Sequence, residues 1–597
     1  MMWHKGCIIT ITARFRSNDL REFGAMRPRS ILAVIIFLAG ILVACQSVSP
    51  GPAPPTGGTT AVAPGPPPPT APAAVSPAPK ATSGGPGRVY YVRRDGGSEE
   101  NCTGLADTPY PGSGSSQACA WDHPFRALPP GGTPRLAGGD TLIIGTGSYM
   151  MGYGAPGSQA CDRDGAWECT MPPIPGGPAP SRPTRILGAG WDTRASSPPE
   201  LWGTERADFI LNLTDSSNVE LAYLEITDHS ECVEFHSGSL ACNRDNLPFG
   251  PWARVGLYAE DSAGVHLRDL NIHGLAHGGV WAGRLTNWTV DRVRIAGNGS
   301  VGWDGDIEGD DSDSGTMLFR RWTVEWNGCG ETYPGGKPVG CWAQEAGGYG
   351  DGVGFGNTQG HWVIEDSAFR YNTSDGLDLL YAVPGSSIEI RRTIAQGNAG
   401  NQIKTSGPVT VENSVIVGNC GFFDGQPFTF KVDQCRALGA SLAINLYRGD
   451  SATVLNNTIA GEGDCLVVAE LNGPESGTET VRLRNNLLQG HTDFLQPFEK
   501  ACAVYQETFS LDPFDIDYSI VNDVKNDDCP GGHPLCGVPA GLANAGVDSF
   551  DARLLPGSPA IDAGVDTGLA DDFAGARRPQ GARYDIGAYE FAGGSSR

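Results

Sequence analysis

Four segments carry one pattern: Trp288–Asn298 (WTVDRVRIAGN), Trp362–Asn372 (WVIEDSAFRYN), Ile388–Asn398 (IEIRRTIAQGN) and Val409–Asn419 (VTVENSVIVGN). Each runs apolar, any residue, apolar, then two or three polar or small residues before the next apolar one, and each closes on Asn. Weaker copies begin at Val219, Val265, Met317, Thr453 and Val481; successive starts lie twenty-odd residues apart, or near twice that where a coil carries a loop. Short β-branched runs punctuated by Gly and Asn predict strands rather than helices. No single unit of this length buries its own apolar face, so the units must stack as a solenoid. The expected fold is all-β: a right-handed parallel β-helix with one coil per repeat. Asn298, Asn327, Asn372, Asn398 and Asn419 share one repeat position, where Asn tolerates left-handed backbone, and a stacked asparagine ladder is expected there.

Upstream, Gly138–Tyr149 (GGDTLIIGTGSY) resembles the first coil of pectate-lyase-like β-helices. Downstream, Ser558–Gly564 (SPAIDAG) and Asp585–Glu590 (DIGAYE) resemble the closing segment of bacterial surface β-helix proteins, so their carboxylates are read as structural. This sets the β-helix at 88–545 and a closing segment at 546–597.

From Met26, two arginines, an apolar run Ile31–Ala44 and Cys45 have the layout of a secretory signal, too short for a comfortable membrane span. Leu42-Val43-Ala44-Cys45 resembles a lipobox, which implies cleavage before Cys45, acylation of that cysteine and a lipid anchor in the outer membrane or at the cell surface. Residues 1–25 read as an upstream extension and 26–45 as the signal. Residues 46–87 are rich in Pro, Ala and Gly and form a tether that cannot bury a core. The chain is expected to act as a monomer.

Of sixteen cysteines, fourteen follow Cys45, and they fall into neighbours: 102/119, 161/169, 232/242, 329/341, 420/435, 465/502 and 529/536. Local disulfides stapling loops in an oxidising compartment are expected. No spacing suits zinc. The net charge of −25 argues against a nucleic-acid partner and suits a calcium-binding chain.

Counting each coil from its first apolar residue puts Asp375 thirteen and Asp378 sixteen places after Trp362. Asn401 and Lys404 hold the same places after Ile388. Asp351-Gly352 is phased by matching it to Asp375-Gly376. With coils about 4.8 Å apart, Asp351, Asp375 and Asn401 should form one column, and Asp378 and Lys404 the next. Three carboxylates this close repel unless a cation neutralises them, and an oxygen-only set selects Ca²⁺. Lys404, beside that cation, should have its ammonium form disfavoured and so approach a usable general base.

These motifs, DGVG at Asp351, SDGLD at Ser374–Asp378 and NQIK at Asn401–Lys404, resemble the calcium site and catalytic lysine of family 9 polysaccharide lyases. The resemblance implies Asp351, Asp375 and Asp378 as calcium ligands and Lys404 as the base that removes the proton. Ser374 departs from it, standing where the family has the first Asp of its DDGxD motif. Asn401, Arg391 and Arg392 are the candidate substrate contacts, and Asp304 a candidate extension of the cation site. The expected activity is calcium-dependent β-elimination on an acidic, uronate-containing polysaccharide. Two rivals stand beside it: a carbohydrate-binding or adhesive surface module without catalysis, and a glycoside hydrolase using opposed carboxylates.

Overall fold

The computed structural model describes residues 87–593 except 237, 308–312, 343–349, 358, 433–439, 462–464, 493–500, 526–528 and 530. Cys45, the signal segment and nearly all of the tether lie outside the described residues, as does Cys435.

The chain is a right-handed parallel β-helix. A representative coil has strands His361–Glu365, Ala368–Arg370 and Leu377–Leu379; the next has Ser387–Arg391, Ile394–Gln396 and Ile403–Ser406. Equivalent strands pair in parallel, with Trp362 opposite Ile388, Phe369 opposite Ala395 and Leu377 opposite Ile403. Through the central coils the first two strands belong to one 24-stranded sheet and the third to a 10-stranded sheet. The stack starts earlier than Gly138–Tyr149: Val89–Gly97 already pairs with Thr141–Ile144. This strand lies within the span 88–545 expected for the β-helix, ahead of the segment that resembles a first coil.

Sharp corners separate the strands. Arg292, Arg321, Asp366, Arg392, Asn413, Asn456 and Asn485 all turn the first corner with φ between 47° and 55°. This left-handed conformation is natural for Asn and Asp, and the remaining coils impose it on Arg. At the second corner Asn298 donates to Asn327 (2.8 Å), Asn327 to Asn372 (2.9 Å) and Asn372 to Asn398 (2.8 Å). The ladder ends one rung sooner than expected. Asn398 donates to Gln402, whereas Asn419 turns away to Asp548. Nor are the ladder residues themselves left-handed: the positive φ falls one place earlier, on Gly297, Trp326, Tyr371 and Gly397. The Asn side chain is wanted for its paired donor and acceptor rather than for its backbone.

Alternation along the strands sends large side chains inward. Trp288, Trp303, Trp322 and Trp362 are buried, with Phe319 stacked on Trp362 at 5.2 Å and Phe355 edge-on to it at 4.8 Å. This aromatic packing stiffens the coils that carry the acidic motifs. Among the described residues, six local disulfides join 102/119, 161/169, 232/242, 329/341, 465/502 and 529/536. In the C-terminal segment, Arg578 and Glu590 pair at 2.6 Å with both side chains fully buried, and Asp585 accepts the backbone N–H groups of Asp562 and Phe591.

Candidate active site

The third strands carry the chemistry. Val353, Leu377 and Ile403 are buried, so their successors Gly354, Asp378 and Lys404 point outward. Register makes these outward residues one column, in the order Tyr258, Trp281, Asp304, Gly354, Asp378, Lys404.

Three residues earlier on each strand, the second column is bonded rung to rung. Asp351 Oδ1 accepts the backbone N–H of Asp375 (2.9 Å), and Asp375 Oδ1 accepts the backbone N–H of Asn401 (2.7 Å). Asn401 also gives its side-chain amide to the same oxygen (3.2 Å). Asn401 is 3 % exposed, so it positions Asp375 rather than facing a substrate as expected. Gly400 is required beside it, because a Cβ there would lie 2.2 Å from Asp375 Oδ1.

Asp351, Asp375 and Asp378 each bring one carboxylate oxygen within 4.8 Å of the others. Lys404 Nζ sits 2.6 Å from Asp375 Oδ2 and 3.1 Å from Asp378 Oδ2. Burial pushes the Asp351 carboxyl up to about 7, with the charges of Asp375 and Asp378 adding to the rise. Burial also raises Asp378, further helped by Asp375 and opposed by Lys404. Ser374 donates to Asp351 and works against the rise there.

The expectation for Lys404 concerned a cation-loaded site; among the chain's own groups the balance runs the other way. Burial alone would favour its neutral amine, but the negative charges of Asp375 and Asp378 outweigh burial and hold the ammonium well above the usual lysine range. In this arrangement the ammonium is itself the counter-cation of the cluster. The expected drop in basicity assumed a metal charge next to Lys404; with carboxylates as its neighbours the sign reverses.

The donor set fits a hard divalent cation. An ion 2.3–2.6 Å from each oxygen spans ligands about 5 Å apart at most, which matches the cluster's 4.8 Å. Asp304 belongs to the same outward column but two coils from Asp378, on the order of 10 Å away, and so is too distant to share that ion.

Arg391 and Arg392 lie elsewhere. They belong to the 24-stranded sheet and its first corner, where Arg391 pairs with Glu365 (2.9 Å) and Arg392 with Asp366 (2.6 Å). Cross-coil carboxylates at the same repeat position hold them, and they do not reach the acidic columns as substrate contacts.

The carboxylates and Lys404 form one end of a groove of about 600 Å³, which continues past Asp304 and Asp306 to Trp281, Ser300, His277 and Arg254. Sequence reasoning gave these last four no role. A signal existed for two of them: Trp281 stands sixteen places after Val265, as Asp378 does after Trp362, and Ser300 stands twelve after Trp288, as Ser374 does after Trp362.

No family model and no curated protein matches the sequence. Among solved structures, the chain is similar to the pectate lyase Pel9A at 14% identity over 84% of this chain and 96% of that one, with a TM-score of 0.39. An alginate lyase from Paenibacillus sp. str. FPU-7 aligns at 14% identity over 64% and 93%, TM-score 0.32. PfbA, a surface adhesin of Streptococcus pneumoniae, aligns at 10% over 62% and 84%, TM-score 0.31. These neighbours include both lyases and an adhesin, and at such scores they do not choose between them.

Proposed function

We propose that this protein is a calcium-dependent polysaccharide lyase that cleaves a uronate-containing glycan by β-elimination at the Asp351–Asp375–Asp378–Lys404 cluster. The observation that carries the reading is the convergence of three carboxylates and one lysine from three successive coils at the end of an open groove. A divalent cation held by the three carboxylates would neutralise the substrate's carboxylate and so acidify the neighbouring C–H.

The remaining work belongs to the chain. Asn401 and Gly400 fix Asp375, and the Asp375 backbone N–H fixes Asp351. The second oxygen of Asp375 and one oxygen of Asp378 meet Lys404. Lys404 competes for those oxygens: once Asp375 and Asp378 are engaged elsewhere, it loses the partners that keep it protonated. Its neutral amine can then take the C5 proton α to the uronate carboxylate; the electron pair forms the C4–C5 double bond, the C4–O bond breaks, and the departing oxygen takes a proton from water.

One observation favours a second reading, a glycan-binding surface module. Lys404 clamped as an ammonium between Asp375 and Asp378 already rigidifies the coils without chemistry. Incubating purified protein with polygalacturonate, alginate and glycosaminoglycans, with calcium or with EDTA, separates the two. A calcium-dependent rise in unsaturated-uronate absorbance is expected on one substrate. Binding without any such product on the whole panel hands the protein to the second reading.

We also propose that acylated Cys45 anchors the protein to the cell envelope. Cys45→Ala should release it from the membrane fraction and abolish incorporation of labelled fatty acid; unchanged fractionation and labelling would overturn the anchor.

A further inference from the structure

We propose that Arg254, His277 and Ser300 form a separate subsite in the groove that takes a carboxylate of an acidic glycan, with Trp281 as the adjoining platform for a sugar ring. It presupposes the polysaccharide cleft proposed above and deepens it by saying where the polymer's charge is read away from the cluster.

The three residues are successive rungs of one column. The backbone N–H of His277 donates to the Arg254 carbonyl (3.1 Å), Ser300 to His277 (2.7 Å), Gly350 to Ser300 (2.6 Å) and Ser374 to Gly350 (3.0 Å). The column therefore runs straight into Ser374, beside Asp375. Arg254 lies about 10 Å beyond Ser300 at the ordinary spacing of parallel strands, far enough from the acidic cluster for a different unit of the polymer.

Unspent donors mark this column. Ser300 is only 4 % exposed and lines the groove, yet its hydroxyl has no hydrogen-bond partner among the described residues. A buried hydroxyl left this way costs stability unless something arrives to pair with it. Arg254 gives Nε to Glu234 (3.2 Å) and Nη1 to Asp208 (3.1 Å), leaving Nη2 unpaired among the described residues. His277 Nδ1 is 3.4 Å from Glu234 without a directed hydrogen bond. Glu234 thus sits behind Arg254 and His277, and both residues line the groove.

Charge selects the ligand. Asp304, Asp306, Asp351, Asp375 and Asp378 put five carboxyl groups on the groove wall. Among the described residues Arg254 and Lys404 are its arginine and lysine side chains, and Lys404 is spent on the carboxylates. A polyanion therefore finds its guanidinium contact at Arg254, a planar donor suited to carboxylates. Trp281 is half-buried, with its Nε1 donating to the Asp306 carbonyl (2.9 Å) and its ring edge-on to Tyr258 at 5.3 Å. Both contacts fix a ring of the kind that packs against sugars.

The test is calorimetry with the full chain carrying Lys404→Ala, in calcium, using hexamers of galacturonate, mannuronate and hyaluronan and their carboxyl-reduced forms. Adding Ser300→Ala or Arg254→Lys should weaken the best acidic hexamer about tenfold and leave its reduced form unchanged, whereas Trp281→Leu should weaken both equally. Thermal melts establish that the variants fold, and Ser300→Ala removes a single oxygen. The subsite is overturned if no hexamer binds, or if Ser300→Ala and Arg254→Lys change neither hexamer or both alike. Failure of the lyase reading looks different: charge-selective binding persists while the unmodified protein yields no unsaturated product.

Discussion

Replacing Asp351 by Asn should stabilise the calcium-free protein, and only above a defined pH. An aspartate normally titrates near 3.8, and the buried Asp351 beside Asp375 and Asp378 is pushed up to about 7. The folded state therefore binds an extra proton between those limits, so stability associated with this group falls as pH rises from about 4 to about 7. At roughly 1.4 kcal/mol per pKa unit, the full penalty above pH 7 is at most about 4 kcal/mol. With an unfolding entropy of ~2.1 cal/mol/K per residue, a folded body of roughly 500 residues converts this into about 4 °C in Tm. Asn mimics the protonated carboxyl, so in EDTA Asp351→Asn should melt higher than wild type by up to that amount at pH 8. The gap should close towards pH 4. Other carboxylates, such as Glu234, appear in both proteins and cancel in the difference. Saturating calcium should reverse the order, because wild type keeps a charged ligand that the variant lacks. A gap independent of pH, or an equal calcium effect on both proteins, would refute the reasoning.

Lys404→Ala should lower turnover on a cleaved uronate polymer by the roughly 10²–10⁴-fold typical of a lost general base. Calcium affinity, followed by titration calorimetry, should rise, since the competing ammonium is gone; unchanged turnover would remove Lys404 from the chemistry. Asn327→Ala breaks the middle of the ladder and strands the Asn298 amide, so about 2–4 kcal/mol of stability should be lost, read as a Tm drop of a few degrees. His273 bridges Glu225 (3.0 Å) and Glu331 (2.8 Å); burial alone would lower it, but the two carboxylates raise it to about 9. The resulting stability is complete below its unfolded value of about 6.5 and fades as pH passes 9. Hydrogen exchange, corrected for intrinsic pH dependence, should therefore quicken selectively in Gly330–Val339 above that pH and be insensitive to pH there in His273→Gln.

What the sequence determined by itself was the coil and its phase. A repeat that alternates every second residue and turns at Gly-Asn can bury its apolar side only by stacking, so counting from Trp362 and Ile388 sufficed to set Asp378 opposite Lys404 and Asp375 against Asn401. The same counting could have reached Trp281 and Ser300; it was not pursued there because neither residue stands in a recognisable motif. Arg254 was out of reach, since its own coil carries a long insertion between Asp228 and Ala253 that destroys the count. The tertiary structure decided what the columns do. Proximity in register says nothing about where charge resides, and Lys404 is held as an ammonium because two carboxylates, rather than solvent, surround Nζ. It also decided that Asn401 turns inward and that Arg391 and Arg392 are neutralised at a corner. Side-chain direction at a bend depends on the left-handed residue that makes it, and in this chain Arg392 takes that place without announcing it in the sequence.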